Sequence, residues 1–243
     1  MSDFQKINGY GMVRIYGTDC NQVSNVLAAA KSKGMKLWAG VYDITQTESE
    51  VSTIIAAAAG DWSSFHTVSV GNELINNGGA TVSALITAIE CARTNLKAAG
   101  YTGNVVTVDT VPAWTNPANA ALCDHSDFVA ANAHSFFARD WTTGDGLVAP
   151  ADTGSWAVGQ AQKVSKACNG KTAWITESGW PTAGECKGLA VPSVENQAAA
   201  ISSLKANFSN NLILFTAFDD MWKSATAPNT FGAEQFWGVY GAA

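Results

Sequence analysis

His66-Thr-Val-Ser-Val-Gly-Asn-Glu73, then residues 82–99 (VSALITAIECARTNLKAA), then Asn104-Val-Val-Thr-Val-Asp-Thr110 decide how this chain folds. The first and last runs are short and rich in β-branched residues. The middle one has helical composition and stops at Gly100. Strand, helix and strand in that order make a parallel pair joined by a crossover helix. The rhythm continues both ways. Strand-like runs occupy residues 12–17 (MVRIYG), 36–42 (KLWAGVY), 128–134 (FVAANAH), 171–178 (KTAWITES) and 212–220 (LILFTAFDD). As a set they are apolar and aromatic rather than cleanly alternating, which is the pattern of strands buried on both faces. Helices are expected at 22–33, stopped by Gly34 as a C′ glycine, and at 157–167 and 194–208. A shorter one is expected near 117–123. Thr47-Glu-Ser-Glu50 reads as a capping box opening a helix through residue 59.

Seven βα units predict an α/β fold, a (β/α)8 TIM barrel, as a single domain over residues 1–243 with no large subdomain. A doubly wound sheet is the rival, but no GxGxxG loop follows any strand. Seven strands are one short of eight. Either residues 236–240 (FWGVY) complete the barrel, or its first strand is lacking or replaced. Residues 2–11 read as the end of a helix.

Only 14% of the residues are charged, against roughly 25% in an ordinary domain. Net charge is −6, with 14 basic residues and no basic run, which argues against a nucleic-acid partner. No apolar run approaches the roughly 18 residues of a membrane span. Nine tryptophans in so neutral a chain suit an uncharged polar ligand such as a carbohydrate. The N-terminus lacks a signal-peptide pattern, yet the few charges, the sequon Asn207-Phe-Ser and the cysteines point to secretion. Cys20, Cys91, Cys123, Cys168 and Cys186 form no CxxC pair and only three histidines accompany them, so neither a metal site nor a cofactor is expected. The cysteines are either small buried hydrophobes or bridge formers with at least one left over. Cys91 and Cys123, on successive outer helices, could pair. Cys168 and Cys186 flank one strand and lie too far apart for the roughly 4.4–6.8 Å Cα spacing of a disulfide.

Active sites of such barrels lie at the C-terminal strand ends. The residues expected there are Tyr16, Tyr42, Asn72 and Glu73, Asp109, His134 with Phe136 and Phe137, Glu177 with Trp180, and Asp219 and Asp220 with Trp222. Cleaving a glycosidic bond takes two carboxyl groups, one to protonate the leaving oxygen and one to attack the anomeric carbon or activate water. Two strand-end glutamates across one cleft would supply them. A lone strand-end glutamate is as readily a helix-cap partner or a surface ion-pair member. Two, each beside an amide or an aromatic residue, are harder to read that way.

Val70-Gly-Asn-Glu73 and Ile175-Thr-Glu-Ser-Gly-Trp-Pro181 resemble the two signatures of glycoside hydrolase family 17, the β-1,3-glucanases. Val13-Arg-Ile-Tyr-Gly17, Val106-Thr-Val-Asp-Thr110, Ala131-Asn-Ala-His-Ser-Phe-Phe137 and Phe218-Asp-Asp220 before Met-Trp-Lys223 are also similar, so the likeness runs from about residue 12 to the end. The chain is similar to the fungal branch, whose members act as β-1,3-glucan hydrolases and glucanosyltransferases. The resemblance implies a retaining mechanism with Glu73 as acid/base, its pKa raised by the nearby Glu177 carboxylate, and Glu177 as nucleophile. Asn72 would bind the sugar 2-hydroxyl. The family's glutamates follow strands four and seven, whereas here they follow the third and sixth counted, which fits an absent first strand. Cys20 would then have its partner in the absent segment.

Trp180 is the expected stacking platform, followed by Phe136, Phe137, Trp141, Tyr42 and Tyr16. His134 is expected to bind a sugar hydroxyl or order its loop. Asp109 and Asp219 are expected to hold the glutamates or sugar hydroxyls, or to cap the following helices. Trp38, Trp62 and Trp174 are expected in the core. The short 135–155 loop would leave the acceptor side of the groove open. The expected protein is a secreted or cell-wall monomer that acts on β-1,3-glucan or laminarioligosaccharides by transfer with some hydrolysis. An endo-hydrolase and an inactive glucan-binding barrel are the alternatives.

Overall fold

The computed structural model describes residues 2–140 and 142–242. Helix α1 (Ser2–Lys6) precedes β1 (Met12–Arg14). Then come α2 (Gln22–Ser32), β2 (Lys36–Val41), α3 (Thr47–Ala58), β3 (Phe65–Asn72), α4 (Val82–Ala98) and β4 (Asn104–Thr110). The short α5 (Val111–Thr115) and α6 (Leu122–His125) lead to β5 (Val129–Asn132), α7 (Thr153–Ala167), β6 (Ala173–Ser178), α8 (Val194–Asn207) and β7 (Leu212–Leu214). The strands are neighbours in chain order from β1 to β7. That order lacks the reversal of a doubly wound sheet and is that of a (β/α) barrel. Residues 236–240 are turn and coil rather than an eighth strand. Their backbone is tied to residues 216 and 217, with Val239 N–H donating to the Thr216 carbonyl (3.0 Å) and Tyr240 N–H to that of Ala217 (3.0 Å).

Contacts divide the chain into two compact units. The first comprises residues up to Ala131 together with Val164–Ala173, and the second Asn132–Lys163 together with Trp174 onward. In the first unit, β1 to β4 are parallel. Leu37, Val41, Val68, Val70 and Val105 are buried under Leu27 of α2, Ile54 of α3 and Leu85, Ile89 and Leu96 of α4. Each such side chain contributes about 1.5–3 kcal/mol. Trp38 is buried and Trp62 packs against this core. Gly34 takes φ +66° and its N–H reaches the Lys31 carbonyl at 3.2 Å, ending α2 as expected of a C′ glycine. In the second unit, β6 and β7 are parallel, and a separate core gathers Phe136, Trp180, Ala190, Ala200, Ala233 and Trp237.

Two local expectations are corrected. Thr47-Glu-Ser-Glu50 is not a capping box. A 3₁₀ turn, Ile44–Gln46, runs into α3 and is capped by Asp43, whose carboxylate accepts from Thr45 N–H. The turn leaves the amides of Tyr42 and Asp43 within reach of Glu50, which accepts from them at 3.0 and 2.8 Å. Cys123 pairs with Cys168, not with Cys91 (Cα–Cα 5.3 Å). Cys123 and Cys168 sit at helix ends that lead into the successive strands β5 and β6, whereas Cys91 lies mid-helix in α4 and is free, as are Cys20 and Cys186.

Candidate active site

In the first unit the C-terminal ends of parallel strands carry Tyr16, Tyr42, Asn72 with Glu73, and Asp109. Gly71 and Glu73 both have left-handed backbones, φ +77° and +55°. Glycine accepts this without cost; a glutamate does not, and is held there by its surroundings. Glu73 N–H donates to the Val108 carbonyl at 2.9 Å. The loop beyond it is fastened by Asp109, whose carboxylate accepts from the amides of Ile75 (2.9 Å), Asn76 (3.3 Å) and Thr110 (2.8 Å). Asp109 is fully buried, and burial raises its pKa against the lowering effect of these hydrogen bonds. It therefore holds the loop of Glu73. The expectations that it binds sugar hydroxyls or caps a helix are corrected: the carboxylate is out of a ligand's reach, and Thr110 caps α5 through Ala113 N–H.

The Asn72 amide oxygen accepts from Arg14 Nη2 at 2.8 Å, which orients the amide. The Arg14 guanidinium lies over the Tyr16 ring, 4.4 Å from its centre. Tyr16 and Asn72 are thus brought together from β1 and β3. Tyr42 is exposed beside them in sequence order, at the end of β2. Arg14 and Glu50 were not legible as site-shaping residues, because their partners lie on other strands and loops.

In the second unit Glu177 stands near the end of β6, 6% exposed. Its carboxylate is 3.3 Å from His134 Nε2. His134 follows β5 and is positioned by pairing with β6: Ala133 N–H donates to the Glu177 carbonyl at 2.9 Å and the Thr176 hydroxyl to Asn132 Oδ1 at 2.9 Å. The imidazole is walled by Phe215 and Trp237, with ring centres 5.3 and 5.1 Å away, and by Phe137 at 6.2 Å. Phe215 and Trp237 were missed. In the sequence Phe215 lies inside a strand-like run and Trp237 inside the candidate eighth strand.

The aromatic expectations divide. Trp180 is 0% exposed. Its indole N–H donates to the Val191 carbonyl at 3.0 Å, and Phe136, also buried, packs edge-on at 5.3 Å. Both are core residues with no ring face open to a sugar, and their assignment as platforms is corrected. Phe137 is half-buried. Trp141 lies outside the described residues. Asp219 accepts from Gly238 N–H at 2.8 Å and its own N–H donates to the Gly241 carbonyl at 2.8 Å, so it ties two loops together. Among the described residues no group of three or more His, Cys, Asp or Glu side chains could hold a metal ion, and no helix is long and apolar enough to cross a membrane.

Residues 1–238 match the family profile of the BtgE/BtgC glycoside hydrolase domain. The chain is 45% identical over 242 residues to the cell surface mannoprotein MP65 of Candida albicans, covering 98% of this chain and 61% of that protein. It is 44% identical over 241 residues to the probable family 17 glucosidase SCW4 of Saccharomyces cerevisiae, covering 98% and 59%. The chain thus spans about three-fifths of the length of these curated relatives. Its structure is similar to that of the glycoside hydrolase family 17 β-1,3-glucanosyltransferase from Rhizomucor miehei, with TM-score 0.79 and 25% identity, covering 99% of this chain and 86% of that one.

Proposed function

Because the chain belongs to the family of the BtgE/BtgC glycoside hydrolase domain, we propose that it cleaves β-1,3-glucan with retention and transfers the released glycosyl unit to another glucan, with some hydrolysis. Glu177 attacks the anomeric carbon while Glu73 protonates the departing glycosidic oxygen, and a covalent glycosyl-enzyme forms. Glu73, now a carboxylate, then takes the proton of an acceptor hydroxyl or of water. That oxygen attacks the anomeric carbon and Glu177 leaves. Asn72, oriented by Arg14, donates to the 2-hydroxyl. Water and sugar compete for the same intermediate, so the ratio of hydrolysis to transfer follows how well an acceptor is held.

The observation that carries this reading is Glu177: a nearly buried carboxylate near a strand end, with His134 at 3.3 Å. The name of the Rhizomucor relative supports the substrate and transfer, and that of MP65 supports a location at the cell surface. The test is incubation with purified laminarihexaose, with products sized over time and their anomeric form followed by NMR. Products longer than the substrate, and first-formed reducing ends of β configuration, are expected. Shorter products alone mean a hydrolase, α products mean inversion, and no products mean a binding protein.

A further inference from the structure

Trp222 differs from the other described tryptophans of its unit. Trp180 and Trp237 are 0% and 1% exposed and Trp156 and Trp174 are half-buried, whereas Trp222 is 81% exposed. An indole left in water forgoes the burial that such a ring normally gains. The backbone on either side of this one is tied in place. The Gln235 side-chain amide donates to the carbonyls of Met221 (3.0 Å) and Lys223 (2.7 Å), which bracket Trp222 in the chain. Lys223 N–H donates to the Asp220 carbonyl at 2.9 Å, closing the turn that carries the ring. The indole N–H donates to Asp220 Oδ1 at 3.3 Å, while Lys223 Nζ pairs with Asp220 Oδ2 at 2.9 Å.

The turn is also linked to the nucleophile candidate. Lys223 Nζ lies over the Phe215 ring at 4.7 Å. That same ring walls His134, and His134 faces Glu177. Lys223 Nζ also lies over the Trp222 ring, 5.7 Å from its centre, yet the residue stays 81% exposed. An exposed indole with a carboxylate at its N–H and an ammonium group over one part of the ring matches a pyranose: the sugar's C–H face packs on the ring, and its rim of hydroxyls meets an acceptor and a donor. The two charges offset one another, as suits an uncharged ligand.

We infer that Trp222, with Asp220 and Lys223, forms a stacking subsite for one glucose ring of the glucan, on the rim that runs outward from Glu177. The inference rests on the β-glucan reading above. The test is titration calorimetry of laminarihexaose into the Glu177→Gln protein, alone and combined with Trp222→Ala or Trp222→Phe. Alanine is expected to weaken binding about tenfold, and phenylalanine, which keeps a flat ring, by no more than about threefold. Affinity unchanged by alanine overturns the subsite. Failure of the Glu177→Gln protein itself to bind laminarihexaose overturns the glucan reading instead. A second measurement needs no substitution at Trp222. Its oxidation by N-bromosuccinimide, followed by peptide mass mapping, is expected to slow when laminarihexaose is present. Oxidation at an unchanged rate counts against the subsite.

Discussion

A carboxyl group taken almost out of water needs polar partners, and for Glu177 the His134 imidazole is one, with Nε2 at 3.3 Å. Glu177→Ala removes the proposed nucleophile. Laminarin turnover is expected to fall by at least about a thousandfold while laminarihexaose still binds. Initial rates beside calorimetry check this, and substantial residual cleavage would remove Glu177 from that role. Asp109 makes a different prediction. Burial raises its pKa, so the folded state holds the proton more tightly than the unfolded chain. Its stabilising contribution is full below the unfolded value near about 4 and is lost as pH rises through the folded value. Urea midpoints compared at acidic and neutral pH should therefore show a smaller loss on raising the pH for Asp109→Asn than for the parent. An equal loss would mean that Asp109 does not titrate in this way. The strand-end glutamates were legible as letters because hydrophobic runs end on them. The opposite fates of Trp180 and Trp222 were not. A tryptophan in a loop carries no local mark of whether its ring turns inward, and here the decision rests with Val191 and Gln235, 11 and 13 residues away along the chain.

At the scale of elements, β4 was legible to the residue and β2 and β3 to within one, because strands buried on both faces are written as continuous apolar runs. The termini of β1 and β7 were overextended. The residues after Arg14 and Leu214 remain apolar but leave the sheet to build the loops around the site. The capping-box motif failed for a tertiary reason: Glu50 serves amides at the end of β2 instead. The Cys91–Cys123 pairing fails because successive helices do not by themselves bring two thiols to the same end: Cys91 lies mid-helix in α4, whereas Cys123 sits near a helix end. Cys123 and Cys168, 45 residues apart, close a loop whose loss is expected to cost about 4 kcal/mol on the chain-entropy model. Unfolding of the Cys123→Ala/Cys168→Ala protein measures it. Thiol titration of the denatured parent should find the three free cysteines Cys20, Cys91 and Cys186. A count of five would abolish the bridge.

For the molecule as a whole, weak charge has a consequence for binding. The net charge is −6 over 243 residues, and Lys223, beside the exposed indole, is matched by Asp220 and Glu234 at 2.9 and 3.9 Å. A neutral glucan gains nothing from long-range attraction to such a surface. Its affinity is expected to change by less than about twofold between low salt and 1 M salt, where the Debye length falls to about 3 Å. A steep salt dependence in calorimetry would point to a charged ligand. The barrel class was legible from strand count and order alone. The long-range ties that shape the site, Arg14 to Asn72 and Asp109 to the loop after Glu73, were not, since each joins strand ends that only folding brings together.

The Cys123–Cys168 bridge spans the exposed backbone around Thr142, Thr143 and Asp145. Should an extracellular protease cut there, the pieces would stay covalently joined. The nicked protein would migrate as one band without reductant and as two with it. A single scission in that loop would thus leave Glu73 and Glu177 on one covalently linked molecule.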